Sequence, residues 1–226
     1  RLFQFGGHID FNKGEEKLHE RSYYVTDSSF FDVFDFELIH GDPSSALTAP
    51  NSIVIDEYWA EVIFGSAESA LGQMVSMENN SYEMKVTGVM KVIPDNSHLQ
   101  AKILISISSF EDSEFVQNIL SSWERYGAST YLVVDDQSDI THLENELVQF
   151  VEKRFGSEDE RKLTMQSLSD IHFHSADIQY GADEKKGQIS YIYVFIAIGV
   201  FMLLIACINY MNLATAKSLH RGKEIG

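Results

Sequence analysis

Thiol chemistry is nearly absent from this chain: its 226 residues hold one cysteine, Cys207. That residue lies inside an apolar run, so the polar part of the chain has no thiol for a structural disulfide, a cysteine metal site or a cysteine nucleophile. This fits an oxidising compartment. Positive charge is also short, with 17 Lys and Arg against 34 Asp and Glu, a formal net charge of −17. Such a deficit argues against nucleic acid or anionic headgroups as partners of the polar part. There is no Gly-rich phosphate loop, no G-x-S-x-G elbow and no H-E-x-x-H pair. No period of 20–50 residues recurs, and no segment is of low complexity. The chain opens at Arg1 without an initiator Met or a charged-then-apolar leader, and is expected to be a fragment or a processed product.

What is present is one long run without charge, Gly187 to Ala216, read as GQISYIYVFIAIGVFMLLIACINYMNLATA. A bilayer core of about 30 Å needs about 20 apolar residues in a helix, and Tyr191–Ile208 with its flanks meets that length. Tyr191 and Tyr193 at one end and Tyr210 at the other stand where interfacial aromatics are expected. A buried core helix is the alternative, but such helices are usually shorter and carry a polar stripe. A lipid-anchor signal would end apolar, whereas this chain ends AKSLHRGKEIG. Three segments follow: a domain at 1–186, a transmembrane and stalk helix at 187–216, and a basic tail at 217–226. Lys217, Arg221, Lys223 and Glu224 come after the span, so the part before it carries 14 basic and 33 acidic residues, or −19. Near the span ends, Lys185 and Lys186 face Lys217, Arg221 and Lys223, which leans towards a cytoplasmic C-terminus.

The domain alternates between extended and helical patterns. Residues 1–26 read as a hairpin, LFQFGGHIDF and KLHERSYYVT, turning at Asn12-Lys13-Gly14. Asp27-Ser28-Ser29 can cap the short turn FFDVFDF, whose four Phe need a core. After the break at Gly41-Asp42-Pro43, Ser52–Ile55 reads as a strand. Asp56 is placed to cap a helix EYWAEVIF that stops at Gly65. A strand pair follows, Gly72–Met77 and Tyr82–Ile93, with Tyr82, Met84, Val86, Met90 and Val92 expected on one face. Ala101–Ser108 is a further strand, and Phe110–Gly127 a helix followed by a loop. Ser129–Val134 then reads as a strand. A helix carries Ile140, Leu143, Leu147, Phe150, Val151 and Phe155 at helical spacing, with Thr141-x-x-Glu144 as a possible capping box, and ends near Gly156. A strand at Leu163–Leu168 closes a strand–helix–strand unit.

Catalytic and metal constellations are thin. His172-x-His174 on a strand would place both rings on one face, but a zinc site needs further ligands from Asp170, Asp177 or elsewhere, and structural hydrogen bonding fits better. No catalytic residue, cofactor site or metal site is expected, and binding or mechanics is the expected role.

Several blocks resemble a known family. DSSFFDVFDFELIHGDPSSALTAPNSIVIDEYWAEVIFG, GQMV…YEMKVTGVMKVIPDNSHLQAKILIS, LSDIHFHS and the span with its tail are similar to the periplasmic core domain and following membrane segment of MacB/FtsX-like ABC transporter permeases. The most specific is C-I-N-x-M-N-L-A-T-A-x-S-x-x-R-x-x-E-I-G, from Cys207 to Gly226, which resembles the start of an FtsX-type membrane domain. The flavour is Bacteroidetes-like. The resemblance implies an α+β periplasmic domain, with porter-like strand–helix–strand units at Ser129–Leu168 and a smaller β-rich part at Tyr82–Ser108, followed by one transmembrane helix. Its first porter strand and helix would lie upstream of Arg1. It also implies a non-catalytic permease subunit in the bacterial inner membrane, coupling ATP hydrolysis in a separate ABC ATPase subunit to periplasmic movement. Efflux, lipoprotein or envelope export, and control of cell-wall hydrolases all fall within it. A second permease half or dimer partner and a periplasmic adaptor are further implied partners. Lys217, Arg221, Glu224, Ile225 and Gly226 match the segment leading to the ATPase-coupling helix, and simple membrane-flank anchoring by the basic residues is the plainer alternative.

Two other classes compete. An extracytoplasmic sensor domain of a membrane receptor would require a signalling helix pair or kinase beyond Gly226. A membrane-tethered hydrolase would require a nucleophile constellation that the sequence does not offer.

Overall fold

Among the described residues, one mixed sheet of ten strands organises the first part of the chain, and two-residue alternation fills both of its faces. In chain order the strands are β1 Leu2–Phe3, β2 Ile9–Lys13, β3 Glu16–Glu20, β4 Tyr23–Thr26, β5 Leu38–Gly41, β6 Ser52–Asp56, β7 Met74–Met77, β8 Tyr82–Met90, β9 Ile103–Ser106 and β10 Ala128–Ser129. The computed structural model describes residues 1–4, 9–13, 16–21, 23–77, 82–122, 128–135, 139–156, 160–175 and 189–224. Neighbours run β10-β1-β4-β9-β6-β8-β7-β2-β3, with β5 also bonded to β8. β4 with β9 and β6 with β8 are parallel.

The expected N-terminal hairpin is present but bent into two pairs. At its base Leu2 faces Thr26 and Phe3 faces Val25; at its tip Ile9–Lys13 faces Glu16–Glu20. The base sits beside β9, whereas the tip reaches the opposite end of the sheet, where Phe11 faces Met77 of β7. One hairpin thus bridges both ends, and the sheet curls on itself. The ladder continues to Lys13 and Glu16, so Asn12 and Lys13 belong to β2 and not to the turn expected there; Gly14 lies outside the described residues.

Alternation sorts the core. Tyr23, Val25, Ile53, Ile55, Ile103 and Ile105 point to one side, together with Trp59 and Phe11. Tyr24, Val54 and Leu104 point to the other, where Phe30, Phe34, Leu47 and Leu99 cover them. The Phe residues come from α1, Phe30–Val33, and its C-terminal flank. Their rings stack, Phe30 with Phe36 at 5.8 Å and Phe34 with Phe36 at 5.6 Å between centroids. The capping by Asp27–Ser29 is indirect: Ser29 makes no side-chain cap bond to the helix, and its hydroxyl donates to Asp27 Oδ1 at 2.7 Å.

The single-face reading of Tyr82–Ile93 needs correcting. A β-bulge at Thr87 shifts the register against β6, with Ile53 facing Val86 and Val54 facing Gly88. Val86 and Val89 therefore join one core cluster and Met90 the other. The Thr87 hydroxyl donates to the carbonyls of Ala46, at 2.6 Å, and Ile53, at 3.1 Å. Beside the bulge, Gly41 has φ +102°, and a Cβ there would lie 2.6 Å from the Thr87 carbonyl oxygen. Ladder pairing ends at Met90, so Val92 is exposed and outside the strand.

α2, Glu57–Phe64, forms where both of its terminal signals predict. Asp56 Oδ1 accepts from the Trp59 amide at 2.8 Å, and Gly65 closes the helix in the left-handed region at φ +84°. α3, Ala67–Ala70, follows. Beyond β9, a 3-10 turn at Ile107–Phe110 leads into α4, Glu114–Ser121; Trp123 lies outside the described residues.

The expected strand–helix–strand unit is present mainly as its helix. α5, Ile140–Phe155, is complete, but its cap is Asp139, whose Oδ1 accepts from the amides of Thr141 and His142, at 2.9 and 3.2 Å. Asp139 occupies the N-cap position, so Thr141 lies inside the helix and the Thr141–Glu144 box does not form. The first strand shrinks to Ala128–Ser129, paired with the two residues of β1. Beyond it Leu132 and Val133 are 67% and 73% exposed. Leu163–Leu168 carries no ladder, and a 3-10 turn, Leu168–Asp170, leads into α6, Ile171–His174. The fold class remains α+β.

The chain divides into two compact units, the first built on Arg1–Ser167, the second on Leu168–Asp177 and the C-terminal helix. That helix, α7, runs unbroken over Ile189–Glu224, 36 residues, or about 54 Å at 1.5 Å per residue.

Candidate functional site

From Ile189 the charge-free run is helix. Ile189–Thr215 is a 27-residue stretch with an 18-residue window of mean hydropathy 2.7, none of that window buried. A long apolar helix has its backbone groups satisfied internally and its side chains suited to hydrocarbon. Tyr191, Tyr193 and Tyr210 are all exposed, and Tyr193 and Tyr210 are about 25 Å apart along the axis. α7 does not stop at the expected boundary near Ala216. Lys217, Arg221 and Glu224 continue the same helix, at i, i+4 and i+7, which is one face of its backbone register. Lys217 is exposed; Ile225 and Gly226 lie outside the described residues.

In the curled sheet, one buried polar cluster ties three distant segments together. Glu20 of β3 is 7% exposed. Its Oε2 accepts from Lys102 Nζ at 2.8 Å and from Trp59 Nε1 at 3.0 Å, and its Oε1 from the Arg21 amide at 2.8 Å. The hydrogen bond to Glu20 holds the Lys102 ammonium above its ordinary pKa. Asp56 lies beside this cluster, and burial pushes its carboxyl up to about 6, against the opposing pull of the Trp59 amide and Lys102. A perturbed carboxyl can mark catalysis, but the shift here follows from burial of a side chain that caps α2. No sequence signal announces the cluster, because its members are 39 and 82 residues apart.

The inner face of the curl is not completely filled. A cavity of about 200 Å³ lies between the strands and α4. Ile9, Val25 and Ile105 contribute from the sheet, Met77 and Met84 from β7 and β8, and Val116 from α4. Tyr82 and Phe110 meet edge to face at its side, with centroids 5.9 Å apart.

Among the described residues no group of three or more His, Cys, Asp or Glu could hold a metal ion. His172 and His174 fall in α6 and not on a strand, so their positions are roughly 200° apart around the axis and do not share a face.

The model of the MacB-like periplasmic core domain matches residues 5–150. This chain belongs to that family. A solved domain of a protein described as a permease, from Porphyromonas gingivalis, superposes with a TM-score of 0.52 at 16% identity, over 75% of this chain and 78% of that one. The periplasmic region of MacB from Actinobacillus actinomycetemcomitans gives 0.49 at 16% identity, over 77% and 74%. A search of the curated proteins found no match. The first likeness supports the α+β fold, and its Porphyromonas origin is in keeping with the Bacteroidetes-like character of the sequence. As a MacB-like core domain joined to an apolar helix, the chain is a component of an ABC transporter permease, a membrane-associated family that works with an ABC ATPase.

Proposed function

We propose that this chain is part of a non-catalytic permease subunit that converts ATP hydrolysis in a separate cytoplasmic ATPase into movement of its periplasmic domain. The supporting observation is the union, in one chain, of a MacB-like core domain and a 36-residue helix. α7 exceeds a bilayer core of about 30 Å by roughly 24 Å. An uninterrupted helix of that length transmits axial or tilting motion without a hinge, and α7 contains no proline. In this reading residues 1–186 lie in the periplasm and 187–216 cross the inner membrane. Residues 217–226 are cytoplasmic, where Lys217, Arg221, Glu224, Ile225 and Gly226 lead to the ATPase contact. A second permease half and a periplasmic adaptor complete the assembly, which moves efflux substrates or lipoproteins and envelope components.

The test is purification of the full-length protein in nanodiscs with its neighbouring ATPase. The ATPase is expected to co-purify, and a cysteine placed at Ser218 is expected to react with a maleimide only from the cytoplasmic side. Ala216→Pro, which breaks the helix below the span, is expected to keep ATPase binding and abolish stimulated ATP turnover. Unchanged stimulation in Ala216→Pro, or no ATPase partner at all, overturns the reading.

A further inference from the structure

The half-open cavity on the inner face of the curled sheet is lined largely by side chains that are themselves part of the core, and it has a defined chemistry. Met84 and Ile105 are 0% and 1% exposed, and Met77 and Val116 are 3% and 6% exposed. Among the described residues lining the cavity none is charged, and their polar side-chain groups are the hydroxyls of Tyr23, Tyr82 and Ser113. An apolar cavity of about 150 Å³ stays dry and accepts benzene, so about 200 Å³ suits an apolar guest of roughly six to eight carbons. Two unbranched methionines let the walls adapt to a flexible chain better than to a rigid ring. The cavity is not sealed: the half-exposed Tyr82 packs edge-on against Phe110 at its rim. In the chain Phe110 and Ser113 flank Glu111 and Asp112, with Glu114 next, and all three acidic residues are exposed.

We infer that this cavity is a binding site for the end of an aliphatic chain whose head is neutral or cationic. The tail enters past Tyr82 and Phe110 and lies between Met77, Met84 and Val116, while Glu111, Asp112 and Glu114 repel an anionic head and attract a cationic one. The tail adds apolar burial at a place where core packing is incomplete. The chain can come from a zwitterionic lipid of the bilayer in which α7 sits, or from a free amphiphile. The site stands apart from the coupling reading, because its occupancy requires no ATPase.

The test uses the full-length protein in nanodiscs and photoreactive diazirine probes of equal ten-carbon tail, one ending in trimethylammonium and one in carboxylate. Adducts are mapped by mass spectrometry. The cationic probe is expected to label Met77, Met84 or Val116, and the carboxylate probe to label them about fivefold less, as expected for exposed charges. Glu111→Lys with Asp112→Lys, both on the surface, is expected to reverse that preference without disturbing the fold. Val116→Trp, which fills the cavity, is expected to remove the adducts. A phosphatidylethanolamine carrying the diazirine in its acyl chain separates the sources: labelling by it identifies a bilayer lipid, and labelling by the free probe alone identifies a soluble amphiphile. Adducts outside the cavity for every probe, or equal labelling by both heads in the parent protein, overturns the inference.

Discussion

The curled sheet and the α5 region have similar apolar content and opposite fates. In β4, β6 and β9 every residue is buried, because each strand has neighbours on both edges and cover on both faces. In the α5 region Val151 is 4% exposed while Ile140, Val148 and Phe150 remain exposed, and Leu132 and Val133 lie open beside them in sequence. Hydrophobicity alone therefore did not decide order. The pairing differs: β9 lies between β4 and β6, whereas β10, among the described residues, pairs with the two residues of β1.

Substitutions can break or sharpen that contrast. The largest effect is expected from Ile53→Ala, which empties a fully buried position on β6 between β8 and β9 and should cost about 3 kcal/mol in chemical denaturation. Leu132→Ala, of similar chemistry, should change stability by less than about 0.5 kcal/mol. Equal losses would show that the two regions fold as one. Next comes Glu20→Gln, which removes the charge that Lys102 and Trp59 share. A loss of about 2 kcal/mol is expected, below that of a fully buried pair because Lys102 is half exposed. Lys102→Met made alongside it should recover part of that loss.

The two helix caps give a smaller, matched comparison. Asp139→Ala is expected to cost about 1 kcal/mol and to fray α5 by circular dichroism, since its two cap bonds are exposed. Asp56 adds a pH effect. Its folded-state pKa is raised to about 6 from 3.8, so its protonation favours the fold, and that stabilisation is lost as pH rises through about 6. His98, whose pKa burial lowers, works in the opposite sense and favours the fold above its ordinary value. The melting temperature of the parent relative to Asp56→Asn should therefore rise by a few degrees between pH 7.5 and pH 5. A difference that stays flat or falls would remove Asp56 from the account.

Features set by local chemistry were legible in the sequence. Asp56 and Gly65 bracket α2 because a side-chain acceptor and a left-handed glycine act within one turn of the chain. The span and its tyrosines needed only length and hydropathy. Features set by a neighbour were not. The Thr87 bulge exists only relative to β6, so the alternation of Tyr82–Ile93 was read one residue out of phase beyond it. Tyr131–Val134 has strand composition, yet Tyr131 packs edge-on against Phe34 at 4.9 Å and hydrogen-bonds His98 at 3.3 Å instead of entering a ladder. Of the candidate site, the membrane helix was visible, while the Glu20 cluster and the cavity arise only when segments far apart in sequence meet.

The bent hairpin that closes the sheet also sets a waiting time during synthesis. Its base completes the ladder only when Tyr23 meets Ile103, and its tip only when Phe11 meets Met77. At about 5–20 residues per second, some 80 residues of further chain take roughly 4–16 s to emerge. For that interval β2 and β4 each wait with one edge unpaired, and Phe11, Tyr23 and Val25 stand open to any other unfinished edge. A holding chaperone acting on this protein would be expected to find its target there.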